Sequence, residues 1–169
     1  FELVVLGLDG KERLVHVNAR SFKFGDEMMS IGMARDITRR SAAEKRLQFL
    51  ASILENSADL LTATDPAGRV LFLNAAARRL FEIGDQDVQT LTADYFFHPQ
   101  EAAKISEAAA RVMQGDDVLI EVTLRRIRHE EEIPAQLHCF PIRAADSDKI
   151  IAIAAIARDL RESLRTEGM

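Results

Sequence analysis

The sequence predicts an α+β protein: a five-stranded antiparallel sheet with helices on one face, plus a connector helix and a partial second copy of the same arrangement. Three observations carry this expectation. Residues 60–81 read as strand, tight turn, strand, helix; residues 118–157 read as three further strands after one helix; and a four-residue motif near position 34 returns near position 157. Strand and helix patterns segregated in this way describe an α+β domain.

Composition sets the outer bounds. The chain has 169 residues, 47% hydrophobic and 29% charged, which suits a globular protein rather than a disordered one. The net charge of −5, with no dense Lys/Arg cluster, argues against nucleic acid as a partner. A single cysteine, Cys139, excludes an internal disulfide and a multi-cysteine metal site. No apolar run approaches the roughly 20 residues of a membrane span, and the opening FELVVLGLDG is too short and too acidic for a signal peptide. A cytoplasmic segment without membrane contact is the expectation.

Taken from the N-terminus, residues 1–8 are apolar or β-branched, Asp9-Gly10 is a strong hairpin signal, and residues 14–19 (LVHVNA) form a second strand. Gly25-Asp26 turns the chain into a third strand over residues 28–33. Three strands without a helix cover only one face of a core, so residues 1–38 read as the back half of a domain whose front half is missing. An internal repeat gives the reason. Ala34-Arg35-Asp36-Ile37 recurs 123 residues later as Ala157-Arg158-Asp159-Leu160, Val17 and Ala19 match Leu137 and Cys139 at an offset of 120, and Glu2 matches Glu121 at 119.

Residues 39–55 contain no Gly or Pro and read as a connector helix. Ser41 and Glu44 have capping-box spacing, with Thr38 an equal candidate for the cap. Ala43, Leu47, Leu50 and Leu54 follow the 4-3-4 spacing of a coiled-coil seam. Two readings stay open: a stripe that packs on its own sheets, or the contact of a parallel homodimer.

In residues 60–81, LLTAT and VLFLN flank Asp65-Pro66-Ala67-Gly68, a turn in which Gly tolerates positive φ. Asn74 then caps the helix AAARRLF. Asp65, Gly68, Asn74 and the pattern of Ala76, Leu80 and Phe81 make this stretch resemble the N-terminal half of a PAS domain, a small sensory fold of signalling proteins. The Asp36-Ile37-Thr38 ending of the first copy likewise resembles the motif that closes PAS domains, from which a signalling helix departs.

Beyond Gly84-Asp85, a breaker, stands the aromatic cluster Tyr95-Phe96-Phe97, a pattern that serves as core anchor more often than as cofactor stack. His98-Pro99 opens a helix with Ile105, Ala109, Val112 and Met113 on one face, ended by Gly115, and this entry too is similar to PAS sequences. In the next hairpin the even positions Val118 to Leu124 and the odd positions Ile133 to Cys139 are apolar. Arg125, Arg126 and Arg128 face Glu130 to Glu132 at its tip, read as a solvated end rather than a binding patch. The last strand, residues 150–157, is apolar on both faces and is therefore expected at the centre of the sheet. Asp159 with Glu162 has the D-x-x-E spacing of a helix cap.

Catalytic patterns do not occur: no G-x-S-x-G, no phosphate-cradling Gly loop and no H-E-x-x-H. The histidines His16, His98, His129 and His138 lie far apart, none in a kinase phosphoacceptor context, so the fragment itself is not expected to be an enzyme. The resemblance implies a cofactor or small-molecule pocket. Photoactive flavin-binding members carry a reactive Cys on a helix, whereas Cys139 is on a strand, and His98 at the edge of its helix is a cap rather than a haem ligand. His138 and Cys139, adjacent on a strand, point to opposite faces and cannot pair on a metal. No particular cofactor is named by the sequence. The pocket candidates are Leu61, Ala63, Phe81, Phe97, Ile105, Val122, Leu124, Leu137, Cys139 and Ile153, against the alternative that they simply fill the core. Small residues at 152, 154, 155 and 157 allow either space or close packing.

The expected organisation is residues 1–38 as the second half of a first PAS domain, 39–55 as connector, 56–160 as a complete PAS domain and 161–169 as the start of an output-linking helix. The expected role is a sensory and dimerisation module, relaying a change in the core through Asp36, Thr38, Asp159 and Glu162 to an output domain. By family analogy that output is a histidine kinase or a cyclic-dinucleotide enzyme. A constitutive interaction scaffold with a filled core is the alternative.

Overall fold

The computed structural model describes residues 1–84, 87–161 and 163, and the chain divides into two compact units, Phe1–Ser52 and Ile53–Met169. The first holds strands β1 (Glu2–Leu6), β2 (Glu12–Phe24) and β3 (Glu27–Asp36), antiparallel in the order β1-β2-β3. Gly10 (φ 74°) and Gly25 (φ 64°) supply the left-handed positions that the two hairpin turns need. β2 and β3 are longer than the sequence pattern suggested. Pairing runs on from Val15↔Asp36 to Phe24↔Glu27, and the Ser21 and Ser30 hydroxyls meet across it at 2.8 Å.

Helix α1 (Thr38–Glu55) starts at Thr38, not at Ser41. The Ser41 amide already donates to the Ile37 carbonyl at 2.8 Å, so Ser41 lies inside the first turn, and Glu44 pairs with Arg40 at 2.9 Å instead of closing a capping box. The Asp36 carboxylate takes the cap, accepting the Thr38 amide at 3.0 Å and its hydroxyl at 2.6 Å.

The second unit is built on β4 (Leu60–Thr64), β5 (Val70–Leu73), β6 (Val118–Arg126), β7 (Glu131–Arg143) and β8 (Ile150–Asp159), in the antiparallel order β5-β4-β8-β7-β6. The strand apolar on both faces, β8, is the central one. Helices α2 (Ala75–Phe81) and α3 (Ala102–Met113) cover one face, and their buried Ala77, Phe81, Ala108 and Val112 meet Leu124, Ile133 and Leu137 of the sheet in one core. In the β4–β5 turn the Asp65 carboxylate accepts the Ala67 and Arg69 amides, both at 2.9 Å, and Gly68 takes φ 83°. These bonds from Arg69, backbone first and then side chain, hold the Asp65 pKa below its ordinary value. α2 ends on a left-handed residue as expected of a helix C-terminus, but that residue is Glu82 (φ 55°) rather than the nearby glycine. The breaker residue Asp85 lies outside the described residues.

Each unit repeats one pairing register. Glu2 faces His16 as Glu121 faces Gln136, Val17 faces Ala34 as Leu137 faces Ala157, and Val15 faces Asp36 as Ala135 faces Asp159. The ladders end alike: the Ile37 amide donates to Leu14 O, and the Leu160 amide to Pro134 O, each at 2.9 Å. One difference follows from sequence. Leu14 has an amide proton, which the Thr38 hydroxyl accepts at 2.9 Å, whereas Pro134 has none and position 161 is arginine.

Candidate ligand cavity

Paired residues on adjacent antiparallel strands share a face, so the register fixes the cavity floor row by row. Leu60–Ala157–Leu137 form one row and Thr62–Ala155–Cys139 the next, with Thr64–Ile153 beyond. Phe81 of α2, Ile105, Ala108 and Ala109 of α3, and Ala93, Phe96 and Phe97 from the segment between the helices form the opposite wall. Leu124 closes one side; Pro66 and Gly68 of the hairpin turn stand at another. The enclosed space is about 110 Å³. Alanine at the two central rows of β8 and at two successive positions of α3 explains why it is not filled, since each withholds the volume of a branched side chain.

No lining residue is charged, and the polar groups of the wall are the Thr62 and Thr64 hydroxyls, the Cys139 thiol and backbone. Burial alone pushes the Cys139 thiol up to about 11, so it is a neutral wall group at physiological pH. Phe81 and Phe96 pack edge to face with ring centroids 4.9 Å apart, and Tyr95 packs on Phe96 at 5.5 Å. The aromatic cluster is thus core anchor and cavity wall together.

Seven of the residues expected to line a pocket do so: Phe81, Phe97, Ile105, Leu124, Leu137, Cys139 and Ile153. Leu61 and Ala63 do not, because they pair with Ile156 and Ala154 on the opposite face of the sheet. Val122 is buried opposite Ala135 in the same core but away from the cavity. The error on β4 has a physical source. In Leu-Leu-Thr-Ala-Thr the apolar alternation is ambiguous, and the strand turns its threonines inward. A β-bulge between Ala63 and Thr64, which leaves Leu71 exposed, further conceals the phase. Sequence reasoning also missed Leu60, Phe96 and the alanines at 93, 108, 109, 155 and 157 as wall residues. The repeat carried the signal for Ala155 and Ala157, since the pairing of Leu137 and Cys139 fixes their face.

Two clusters flank the sheet. Asn74, fully buried, caps α2 by accepting the Ala77 amide at 3.1 Å, and the same oxygen accepts the Leu61 amide at 3.1 Å. Its amide group donates to Leu54 O at 3.1 Å and Asp59 O at 3.0 Å. Glu55 adds a second tie, accepting the Ala75 amide at 2.8 Å and Arg78 at 3.0 Å. At the other end, Asp159 accepts the Arg161 amide at 2.9 Å, and Arg161 reaches Glu131, which also pairs with Arg126 at 2.7 Å. The hairpin tip expected to be merely solvated therefore holds Arg161, beyond the end of β8. Arg126 first, then Arg161, hold the Glu131 carboxyl below its ordinary pKa against some desolvation.

Of the relay candidates, Asp36 and Thr38 form the α1 cap and Asp159 binds Arg161, while Glu162 lies outside the described residues, as does most of 161–169. The dimer candidates Ala43, Leu47, Leu50 and Leu54 are all exposed on α1. His98 caps a 3₁₀ turn, Pro99–Glu101, its Nδ1 accepting the Gln100 amide at 3.3 Å. Cys139 lines the cavity, while the neighbouring His138 lies 3.7 Å from Asp117 on the far face. Among the described residues no three His, Cys, Asp or Glu side chains are grouped to hold a metal ion, and no helix is long and apolar enough to cross a membrane.

A five-stranded antiparallel sheet closed by short helices over an apolar cavity defines an α+β module. Comparison places it: the family model described as PAS fold matches residues 54–165, and the chain belongs to that family. The fold is shared with the PAS domain of an HTR-like protein from Haloarcula marismortui, at 17% identity and a TM-score of 0.61, over 72% of this chain and 97% of that one. A PAS domain from Colwellia psychrerythraea matches at 16% identity and a TM-score of 0.61, over 69% and 98%. A domain of a sensory box sensor histidine kinase/response regulator from Geobacter sulfurreducens matches at 18% identity and a TM-score of 0.57, over 69% and 96%.

Proposed function

We propose that the chain is a sensory and dimerisation module of a cytoplasmic multidomain signalling protein, in which a small molecule in the second unit biases the segments that enter and leave its sheet. The observation that carries this reading is the uncharged cavity of about 110 Å³ whose floor includes β8, the strand that ends in Asp159. A ligand shifts such an equilibrium only by binding one arrangement of the exit better than the other. Asp159, with Arg161 and Glu131, is where the change would leave the domain. Likeness to a domain of a sensor histidine kinase/response regulator favours a two-component output.

The repeated register supports a partial first copy: residues 1–38 correspond strand for strand to β6, β7 and β8, and counterparts of β4, β5, α2 and α3 are absent among them. Residues 39–55 would then be the connector between two PAS units, with 56–160 the complete one. The exposed seam of Ala43, Leu47, Leu50 and Leu54 fits a second connector in a homodimer.

Native mass spectrometry of the chain purified from its own source tests the sensor. A stoichiometric small molecule is expected; its consistent absence favours the filled-core scaffold. Sedimentation of the wild type and of Leu47→Glu/Leu50→Glu tests the dimer, which fails if the wild type stays monomeric at every concentration.

A further inference from the structure

The cavity's own chemistry restricts what it can hold. Every wall residue is uncharged, so a carboxylate, phosphate or ammonium group would be buried without a counter-charge, a placement that proteins avoid. The space, about 110 Å³, is close to the roughly 150 Å³ in which an engineered apolar cavity holds one benzene ring. Phe81, Phe96 and Phe97 line it, and aromatic walls suit an aromatic or alicyclic ring. Thr62 and Thr64 stand two residues apart on one strand face, and neither hydroxyl forms a hydrogen bond among the described residues. Two such groups in an otherwise apolar wall are a recognition element, because the few polar groups of an apolar pocket fix the orientation of what it holds.

We propose that the cavity takes an uncharged molecule built on a single small ring and bearing one hydroxyl-type group that hydrogen-bonds to Thr62 or Thr64. This rests on the reading of the cavity as a ligand site. Phenol has the required chemistry; toluene tests the ring without the hydroxyl, and benzoate tests the ring with a charge.

Calorimetric titration of the whole chain with these three probes at pH 7 decides it. Phenol is expected to bind, with toluene about fivefold weaker for the lost hydrogen bond and benzoate weaker still. The isosteric Thr62→Val/Thr64→Val double variant should bring phenol down to the level of toluene and leave toluene unchanged. Ala155→Leu should abolish all binding, with Ala109→Val as a second block should the first perturb folding. Benzoate binding as tightly as phenol, or phenol binding that survives both blocking variants, overturns the proposal. If no probe binds, the ligand class falls; native mass spectrometry then separates the two readings, since a charged or ringless molecule carried from the source leaves the sensor standing and an empty chain removes both.

Discussion

The side-chain amide of Asn74 donates to the carbonyl oxygen of Leu54 at 3.1 Å, so the final turn of α1 is fastened to the residue that caps α2. Replacing Asn74 with alanine takes a partner from four backbone groups at once, the amides of Leu61 and Ala77 and the carbonyls of Asp59 and Leu54, of which Leu54 keeps the Ser57 amide at 3.4 Å. Each buried group left without a partner costs on the order of 1 kcal/mol or more, so Asn74→Ala should destabilise the second unit by about 3 kcal/mol. Urea unfolding read by circular dichroism measures this, and a change under 1 kcal/mol would contradict the network.

Burial separates two aliphatic residues that the sequence treats alike, Ile133 on β7 and Leu71 at the bulge of β5. Ile133 is 0% exposed and Leu71 57% exposed. Ile133→Ala should cost about 2 to 5 kcal/mol, whereas Leu71→Ala should stay within about 0.5 kcal/mol. Equal effects in the same unfolding experiment would mean that the β4–β5 register is wrong.

Glu101 connects the entry of α3 to β6, accepting the Thr123 amide at 3.0 Å and pairing with Lys104 at 2.9 Å. Burial pushes its carboxyl up, but Lys104 and Thr123 together outweigh that and hold its pKa below the ordinary 4.5. A folded pKa below the unfolded one gives stability that is present in full above the unfolded value and lost as pH falls through the folded one. Stability should therefore decline below about pH 4.5, with a shallower decline in Glu101→Gln, which at pH 7 loses about 1 kcal/mol. Thermal unfolding of both proteins between pH 7 and pH 3 checks the difference in slope.

Cys139 should react with iodoacetamide at pH 8 far more slowly than an exposed thiol, because it is buried and its pKa is pushed up to about 11. Its alkylation should follow unfolding, and phenol at saturation should slow it further. Rapid modification of the folded chain, followed by mass, would show the wall to be open.

Much of this architecture is legible in the sequence because backbone chemistry writes it there. Asp65 and Gly68 fix one turn, Asn74 fixes a cap, and an apolar pattern on both faces sends β8 to the centre. The repeat of Ala34-Arg35-Asp36-Ile37 marks two ladders whose registers match from Val15↔Asp36 and Ala135↔Asp159 as far as Phe22↔Met29 and Ile142↔Ala152, where a bulge shifts the second. What was not legible depends on features without a period. The inward threonines of β4 break the rule that polar residues face water, and a single bulged residue at Leu71 hides the strand phase. The space itself is the sum of alanines contributed by β8, α3 and the segment before Phe96, which no single stretch reveals.

The two ladders end with the same backbone bond but are reinforced differently. After β3 the link back to β2 combines the Leu14 amide, donating to the Thr38 hydroxyl, with an ion pair of Arg13 and Asp36 at 3.6 Å; after β8, where Pro134 offers no amide proton, it is the ion pair of Arg161 with Glu131. Mobile ions weaken both ion pairs, which are screened over a Debye length of about 8 Å at physiological salt, and leave the neutral Leu14–Thr38 hydrogen bond alone. Ionic strength thus bears harder on one exit: as salt rises, amide exchange should quicken more at Leu160 and Arg161 than at Ile37 and Thr38. Leucine at 14 and proline at 134 thus give one ladder end a neutral hydrogen bond to fall back on, and leave the other to an ion pair that responds to the solution around it.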